Sequence, residues 1–195
     1  MFVNHPHVNR PNNVMPVEDI VPPKTRGNFH LNEVVIKQLP IPGTRVISSL
    51  AYGRSLWGEC AKITTGLPDG TTKNYFLKVS FWDNSNWVLC YLLTQHKVIA
   101  GPKASIISEG EFESIQALNY VMPSLAPTPW TRGKYIDEES YFMLMDFREV
   151  GKQPPDPAIF AARLAELHKK SVSPTGKFGF HTTTCHGTTT QITDV

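Results

Sequence analysis

The sequence predicts an α+β protein in which an antiparallel sheet carries one helix and is followed by the beginning of a helical region. Three observations support this class. Residues 44–64 have the pattern of two strands around a glycine-bracketed turn, and a strong hairpin signal, Asp69-Gly70, leads into a third strand. A helical pattern over 109–121 then precedes an apolar strand over 141–147. The 195 residues suffice for one well-buried domain, or for one small domain and part of another.

The composition is ordinary for a globular protein and argues against several classes of partner. A net charge of +2 with scattered basic residues argues against nucleic acid. No apolar run reaches transmembrane length and residues 1–15 lack the apolar stretch of a signal peptide, so no membrane partner is expected. Three widely spaced cysteines (Cys60, Cys90 and Cys185) without a C-x-x-C motif indicate a reducing compartment, and we expect a cytoplasmic protein. The sequence leaves the oligomeric state open.

Three segments are expected along the chain. Residues 1–30 are predicted to form a disordered arm, because prolines interrupt any periodicity there. Residues 31–145 form a first lobe, and residues 146–195 form a linker and the start of an incomplete second lobe. The elements predicted in the first lobe are a short helix over 31–39, strands over 44–51, 59–64 and 75–81, one or two helices within 84–100, a helix over 109–121, a proline-rich connector over 123–129 and the strand over 141–147.

One further helix is predicted to begin after Asp156-Pro157. Asp156 can cap its first turn, and proline suits the first helical position. Phe160, Leu164 and Leu167 are spaced to form an inward-facing apolar stripe. The residues after 170 are rich in glycine and threonine and are predicted to be irregular.

The turn between the first two strands has a composition that suits phosphate binding. Gly53 and Gly58 would let backbone N–H groups approach a polyphosphate, and Ser55 could add a hydroxyl donor. The segment matches neither G-x-G-x-x-G nor G-x-x-x-x-G-K-[ST], so an ordinary hairpin turn is the alternative interpretation.

Lys78 is a candidate phosphate ligand because it lies inside an otherwise apolar strand. In a nucleotide-binding lobe such a lysine contacts the α- and β-phosphates and pairs with a helix glutamate. Glu111 is the first candidate for that partner, and Glu113 is the second. Two alternatives stay open: Lys78 could simply face solvent, and Ser108-x-x-Glu111 matches a capping box that would commit Glu111 to its own helix.

The segment Met145-Asp146-Phe147 lies where a linker between two lobes would run. Its backbone would bind an adenine edge, and the side chains of Met145 and Phe147 would flank the ring. A buried strand followed by a loop is the alternative explanation.

No metal site is predicted from the sequence. His168, His181 and His186, together with Cys185, are candidate ligands, but the spacing of His181, Cys185 and His186 fits no closed zinc site and no fourth ligand is evident. Scattered histidines in a polar loop are the preferred interpretation.

Taken together, these residues resemble the fructosamine/ketosamine 3-kinase family, which includes protein-ribulosamine 3-kinases. The resemblance covers about residue 31 to residue 195. Its most specific part is a leucine–histidine helix leading to a Phe-Gly-Phe loop, a glycine and a glutamine. The matching segments are Tyr52-Gly53-x-Ser55-x-Trp57, Tyr75-Phe76-Leu77-Lys78-Val79, Gly110-Glu111-Phe112-Glu113-Ser114-Ile115-x-Ala117-Leu118, Met145-Asp146-Phe147, Arg163-Leu164-Ala165-Glu166-Leu167-His168, Phe178-Gly179-Phe180, Gly187 and Gln191.

The resemblance implies a fold, a reaction and a set of roles. The family is related to aminoglycoside phosphotransferases, so the first lobe is expected to be a protein-kinase-like N-terminal lobe. ATP would phosphorylate the 3-hydroxyl of a ketoamine sugar on a glycated protein lysine or a small molecule, and the unstable adduct would then leave. Lys78 would hold the phosphates, Glu111 would position Lys78, the turn from Gly53 to Gly58 would cover the phosphates, and Mg²⁺ would bridge them.

The catalytic part of the family pattern is not found in these 195 residues. The family's catalytic loop is a His-Gly-Asp segment with an asparagine five residues after the aspartate, followed by a metal-binding aspartate. His186-Gly187-Thr188 matches only its first two positions, and threonine cannot act as the general base. We therefore assign no catalytic or metal-binding residue, and we expect this chain to be inactive alone. The alternatives are a non-catalytic nucleotide-binding or regulatory fragment and an aminoglycoside-phosphotransferase-like small-molecule kinase.

Overall fold

The computed structural model describes residues 27–55, 58–80, 103–135, 140–149, 151, 153–173, 176–187 and 189–192. The helices predicted within 84–100 and nearly all of the predicted arm lie outside these residues. The described chain is α+β and is built on a five-stranded, wholly antiparallel sheet of order β1-β2-β3-β5-β4. This arrangement is consistent with a kinase-like lobe. The strands are β1 (Arg45–Ser55), β2 (Gly58–Gly66), β3 (Thr72–Ser80), β4 (Pro129–Lys134) and β5 (Tyr141–Asp146).

Both predicted hairpins are present, and the turn of the second one follows from local chemistry. Between β2 and β3, Asp69 accepts hydrogen bonds from the N–H and hydroxyl of Thr71, while Gly70 has a φ of 83°. The first turn is shorter than predicted, because β1 continues through Gly53 and pairs with β2 as far as Ser55. The register shifts between Ala51 and Gly53, so that β1 carries a bulge at this point.

Strand β4 is absent from the sequence prediction. Its first residue is Pro129, which the sequence places in a connector, and it pairs with β5 along its length. A proline is tolerated at the first position of an edge strand, where its missing N–H breaks no ladder bond. The loop before β4 is fastened by the guanidinium of Arg148, which donates to the carbonyls of Pro123 and Ala126 at 2.8 and 3.0 Å.

The hydrophobic core lies on one face of the sheet and is closed by residues 28–46. Tyr75 and Leu77 of β3 are fully buried beside Phe142 and Leu144 of β5. A single-turn helix, α1 (Glu33–Ile36), covers them with Val35 and begins at Asn32, whose side chain accepts from the N–H of Val34. The end of the predicted arm also joins the sheet, since the N–H of Phe29 donates to the carbonyl of Ser49 at 2.9 Å.

The long helix α2 (Lys103–Val121) begins earlier than predicted. Its start at Lys103 places Ser108 and Glu111 inside the helix, so the capping-box alternative for Glu111 is wrong. The carboxylate of Glu109 also joins the helix to the sheet, through an ion pair of 3.0 Å with Arg132.

Helix α3 (Pro157–Lys170) begins at the predicted cap. Asp156 accepts from the N–H groups of Ala158 and Ile159 at 2.9 and 3.0 Å. The predicted inward stripe is only partly covered: Leu164 and Leu167 are half-buried, whereas Phe160 is 44% exposed and no side chain of the helix is fully buried.

The residues after α3 are less irregular than predicted. They include a short antiparallel pair, β6 (Cys185–His186) and β7 (Thr189–Thr190). No helix of the described chain is long and apolar enough to cross a membrane.

Candidate functional site

Strand β3 places Lys78 on the face of the sheet opposite the core. Side chains alternate along a strand, and Tyr75, Leu77 and Val79 all point into the core. Lys78 therefore points the other way, opposite Cys60 of β2 and Met143 of β5 in register. Its side chain is 25% exposed, which leaves the charge within reach of a ligand.

Helix α2 supplies the partner of this lysine. The Nζ atom of Lys78 lies 2.6 Å from both carboxylate oxygens of Glu111. The predicted ion pair is therefore present, and Lys78 does not simply face solvent. The second candidate, Glu113, lies instead 3.3 Å from Nε2 of His181. Short bonds between ionised groups are stronger than neutral ones, and partial burial at both ends reduces solvent screening.

A free thiol lies beside this pair. Burial raises the pKa of the Cys60 thiol, although the Lys78 cation opposes that shift. The thiol therefore stays protonated at neutral pH and adds no negative charge that would compete for the lysine.

An aromatic group occupies the same region of the sheet, on the side toward β1. The ring of Tyr52 meets those of Phe147 and Phe76 edge-on, with centroids 5.0 and 6.1 Å apart. The Nζ atom of Lys62 lies 4.4 Å from the centre of the Phe147 ring. Phe76 is two residues before Lys78, so both side chains leave β3 on one face.

The predicted linker segment is mostly strand. Met145 is 6% exposed and lies opposite Phe76 in β5. The N–H of Asp146 donates to Thr128, and the N–H of Phe147 donates to the carbonyl of Asn74. The plain-strand alternative therefore describes residues 141–146, and the ring of Phe147 lies just beyond the strand, against Tyr52.

The Asp146 carboxylate joins the two neighbouring strands. It accepts from the indole N–H of Trp130 at 2.8 Å and lies 3.1 Å from Nζ of Lys73. Burial by itself would raise the pKa of Asp146, but hydrogen bonds from Trp130, Lys73 and Thr128 outweigh burial and bring that pKa below its usual value.

The glycine turn has one position where no other residue fits. A Cβ atom on Gly58 would lie 2.2 Å from the carbonyl oxygen of Val79, so the backbones of β2 and β3 can approach only at glycine. Gly53 pairs with Cys60 within the sheet, and Ser55 is the last residue of β1. The structure thus gives Gly58 a packing role and brings Gly53 next to Cys60, which lies opposite Lys78 in the register of β2 and β3.

A cavity of about 570 Å³ opens beside the ion pair. Lys78 and Ser80 form one wall, and Gly110, Glu111 and Ser114 of α2 form another. A third wall comes from the residues around β6 and β7 and consists of Thr184, Cys185, Gly187 and Gln191. Sequence reasoning assigned no site role to this third wall. The family resemblance includes Gly187 and Gln191, and it is the feature of the sequence that could have indicated this third wall.

The described residues contain no group of three or more His, Cys, Asp or Glu side chains that could hold a metal ion. The three residues of the sequence cluster have separate surroundings. His181 contacts Glu113 and packs against Phe180, Cys185 lines the cavity, and His186 is exposed.

Comparison with known families identifies the second half of the chain. A family model described as "Fructosamine kinase" matches residues 97–195. No curated protein and no solved structure matches the chain. The matched region includes α2 with Glu111, β5, α3 and the third wall of the cavity, whereas Lys78 and the glycine turn precede it. The chain belongs to the fructosamine kinase family.

Proposed function

We propose that this chain binds the phosphates of ATP through Lys78, as the nucleotide-binding lobe of a kinase that acts on ketoamine sugars. The observation that carries the proposal is the contact between Lys78 and Glu111, 2.6 Å at each carboxylate oxygen. Membership of the fructosamine kinase family indicates a kinase-type function and ketoamine substrates.

The pairing prepares Lys78 for a phosphate ligand. A lysine ammonium carries three donors, and a carboxylate that fixes its position leaves at least one of them for another acceptor. The cation would otherwise be spread over many rotamers of a flexible stem, so holding it lowers the entropy cost of binding. In kinases such a lysine contacts the α- and β-phosphates.

The base of the nucleotide would lie toward the aromatic group. Phe76 and Met145 are neighbours across β3 and β5, and the ring of Phe147 is close to Tyr52. These apolar surfaces are on the same face of the sheet as Lys78. We infer that they flank the adenine ring, and that the backbone after Phe147 binds its edge, since the N–H groups of Asp146 and Phe147 are already donated within the sheet.

Magnesium would reach this site with the nucleotide, bridging its phosphates. We assign the ion no protein ligand, and we assign no general base. In the proposed reaction ATP phosphorylates the 3-hydroxyl of a ribulosamine or fructosamine on a protein lysine, and the product then releases the lysine. Glycated proteins and small ketoamines are the corresponding partners.

A second candidate is nucleotide binding without phosphoryl transfer, in a regulatory role. It is favoured by one observation: among the described residues that line the cavity, the one carboxylate is that of Glu111, and it is already paired with Lys78. Transfer of phosphate to an aminoglycoside instead of a ketoamine would use the same lobe, so the acceptor test below separates these reactions.

Titration with a fluorescent ATP analogue in the presence of Mg²⁺ tests the proposal. Lys78→Met should weaken affinity at least about tenfold, which corresponds to about 1.4 kcal/mol. Lys37→Met is the matched control, because Lys37 is an exposed lysine paired with Glu33 on α1, on the core-covering segment. Equal affinity of the parent, the Lys78 variant and the control would reject the site.

The acceptor is tested separately, with ribulosyl-lysine and an aminoglycoside each incubated with ATP. Phosphorylation of the ketoamine alone supports the proposed reaction. Nucleotide binding with no transfer to either acceptor agrees both with the expected inactivity of this chain alone and with the regulatory alternative, whereas transfer to the aminoglycoside contradicts the ketoamine assignment.

A further inference from the structure

The residues that form the third wall of the cavity also pack against helix α2. We define the β6–β7 hairpin as residues 181–187 and 189–191, which surround the two short strands. It closes on itself, since the N–H of Gln191 donates to the Thr184 carbonyl and the Thr184 hydroxyl donates to Oε1 of Gln191, both at 2.8 Å. Strand β6 packs against α2 within the half of the helix that contains Glu111.

Gly110 is the point of closest approach between the hairpin and the helix. A Cβ atom on this residue would lie 2.4 Å from the carbonyl oxygen of Thr183 and 3.0 Å from Cα of Thr184. Both are backbone atoms, so a side chain could be accepted only by moving the hairpin. Glycine in a helix interior costs about 1 kcal/mol relative to alanine. The close approach of the hairpin accounts for a glycine in the middle of this 19-residue helix.

A second contact lies one helical turn further along. Nε2 of His181 is 3.3 Å from Oε2 of Glu113, and the two side chains are 46% and 31% exposed. Residues 110 and 113 are three apart and therefore share a side of the helix. The hairpin thus contacts α2 at one residue before Glu111 and at one residue after it along the helix.

We propose that the β6–β7 hairpin positions Glu111 against Lys78, with Gly110 as the docking residue. Glu111 follows Gly110 directly, so a displacement of the helix at Gly110 displaces the carboxylate as well. The ion pair is short on both oxygens, and a shift of about 1 Å would break its paired geometry. Gly110 and His181 are positioning residues, because they act on the lysine only through Glu111. The test of this proposal by nucleotide affinity rests on the proposed function. The tests by amide hydrogen exchange and by alkylation of Cys185 do not depend on it.

The substitution Gly110→Ala tests the docking, because two mechanisms predict opposite changes in the rate of amide hydrogen exchange in α2. If Gly110 mattered only within the helix, alanine would stabilise α2 and slow its amide hydrogen exchange. If the hairpin docks there, alanine displaces it and exchange over residues 111–115 becomes faster. Gln116→Ala, at an exposed position of the same helix, is the matched control and should leave exchange over 111–115 unchanged.

Displacement of the hairpin is measured at Cys185, which is half-buried and lines the cavity. In a background with Cys60→Ala and Cys90→Ala, alkylation of Cys185 should become about tenfold faster in the Gly110→Ala variant, because local opening exposes the thiol. Unchanged alkylation together with unchanged exchange would overturn the proposal. Faster alkylation with unchanged exchange over 111–115 would overturn it as well, since the hairpin would then move without affecting the helix.

The effect on the ion pair is tested by non-additivity. Glu111→Gln should weaken nucleotide affinity about fivefold in the parent and not at all in the Gly110→Ala background, where the pair is already separated. Full additivity would overturn the positioning role. If the parent binds no nucleotide, the proposed function fails, whereas exchange and alkylation still decide the hairpin proposal.

His181→Gln provides a milder variant if Gly110→Ala does not fold. It removes the contact with Glu113 and should accelerate exchange over 111–115, although less than Gly110→Ala does. His186→Gln is the matched control, because His186 is an exposed histidine of the same hairpin. Equal exchange in the parent and in both histidine variants would count against the second contact.

Discussion

Lys78 and Glu111 lie 33 positions apart in the chain, and Nζ of the lysine is 2.6 Å from each oxygen of the carboxylate. One residue belongs to β3 and the other to α2, so the contact joins the sheet to the long helix. Each side chain is mostly shielded from solvent, with exposures of 25% and 33%. The pair therefore serves the fold as well as the proposed phosphate site, and the two roles can be measured separately.

The ion pair between Lys78 and Glu111 should contribute measurably to the free energy of unfolding. In a double-mutant cycle of Lys78→Met and Glu111→Gln, we expect a coupling free energy of about 1 kcal/mol, the upper range for exposed pairs. Urea unfolding of the four proteins measures it. The pair Lys37 and Glu33, which is 76% and 83% exposed, is the control and should show a coupling of at most about 0.5 kcal/mol. Equal coupling in both pairs would contradict the shielding argument.

Gly58→Ala should destabilise the sheet. The new Cβ would meet the carbonyl oxygen of Val79 at 2.2 Å, and strands β2 and β3 would have to separate to accept it. Overpacking of this kind costs about 1–3 kcal/mol, and we expect the upper part of that range. Gly27→Ala is the control, because its Cβ would have no neighbour within 4 Å. A Gly58 variant as stable as the control would show that the strands adjust freely.

The free energy of unfolding should decrease as the pH is lowered through the range where Asp146 titrates. The folded protein holds the pKa of Asp146 below its ordinary value of 3.8, so the unfolded chain takes up the proton first as pH falls. The stabilisation is fully present above pH 3.8 and is lost as pH falls through the folded pKa. Unfolding measured from about pH 6 to about pH 2.5 should show this loss, and Asp146→Asn should reduce the slope below pH 3.8. An unchanged slope in that variant would contradict the assignment.

Removal of the α3 cap should act locally. Asp156→Ala leaves the N–H groups of Ala158 and Ile159 without their acceptor, at a cost of about 1 kcal/mol to the helix. No side chain of α3 is fully buried, so loss of the cap should not change the stability of the sheet. We expect faster amide exchange within α3 and an unchanged unfolding midpoint, while Asp156→Asn, which can still cap, should match the parent. A lower midpoint in the alanine variant would show that α3 is coupled to the core.

The elements predicted correctly are those whose signal is local. The Asp69-Gly70 hairpin and the cap at Asp156 depend on hydrogen bonds within a few residues, and the structure has both. Strand β4 was missed because Pro129 and Gly133 lower its strand propensity, and its stability comes from pairing with β5. The start of α2 was placed too late because Ser108 has low helix propensity and matches a capping box with Glu111, a local signal that packing overrides.

The sequence by itself determined which face of β3 carries Lys78, because a period of two requires that face once Leu77 and Val79 enter the core. It also determined the family resemblance, which the comparison with family models bears out. Only the tertiary structure decided the partner of Lys78. Glu109, Glu111 and Glu113 have the same chemistry, but they leave one helix in different directions and meet Arg132, Lys78 and His181 respectively. The choice among them depends on how the helix packs between the sheet and the β6–β7 hairpin, a long-range relationship that no local pattern encodes.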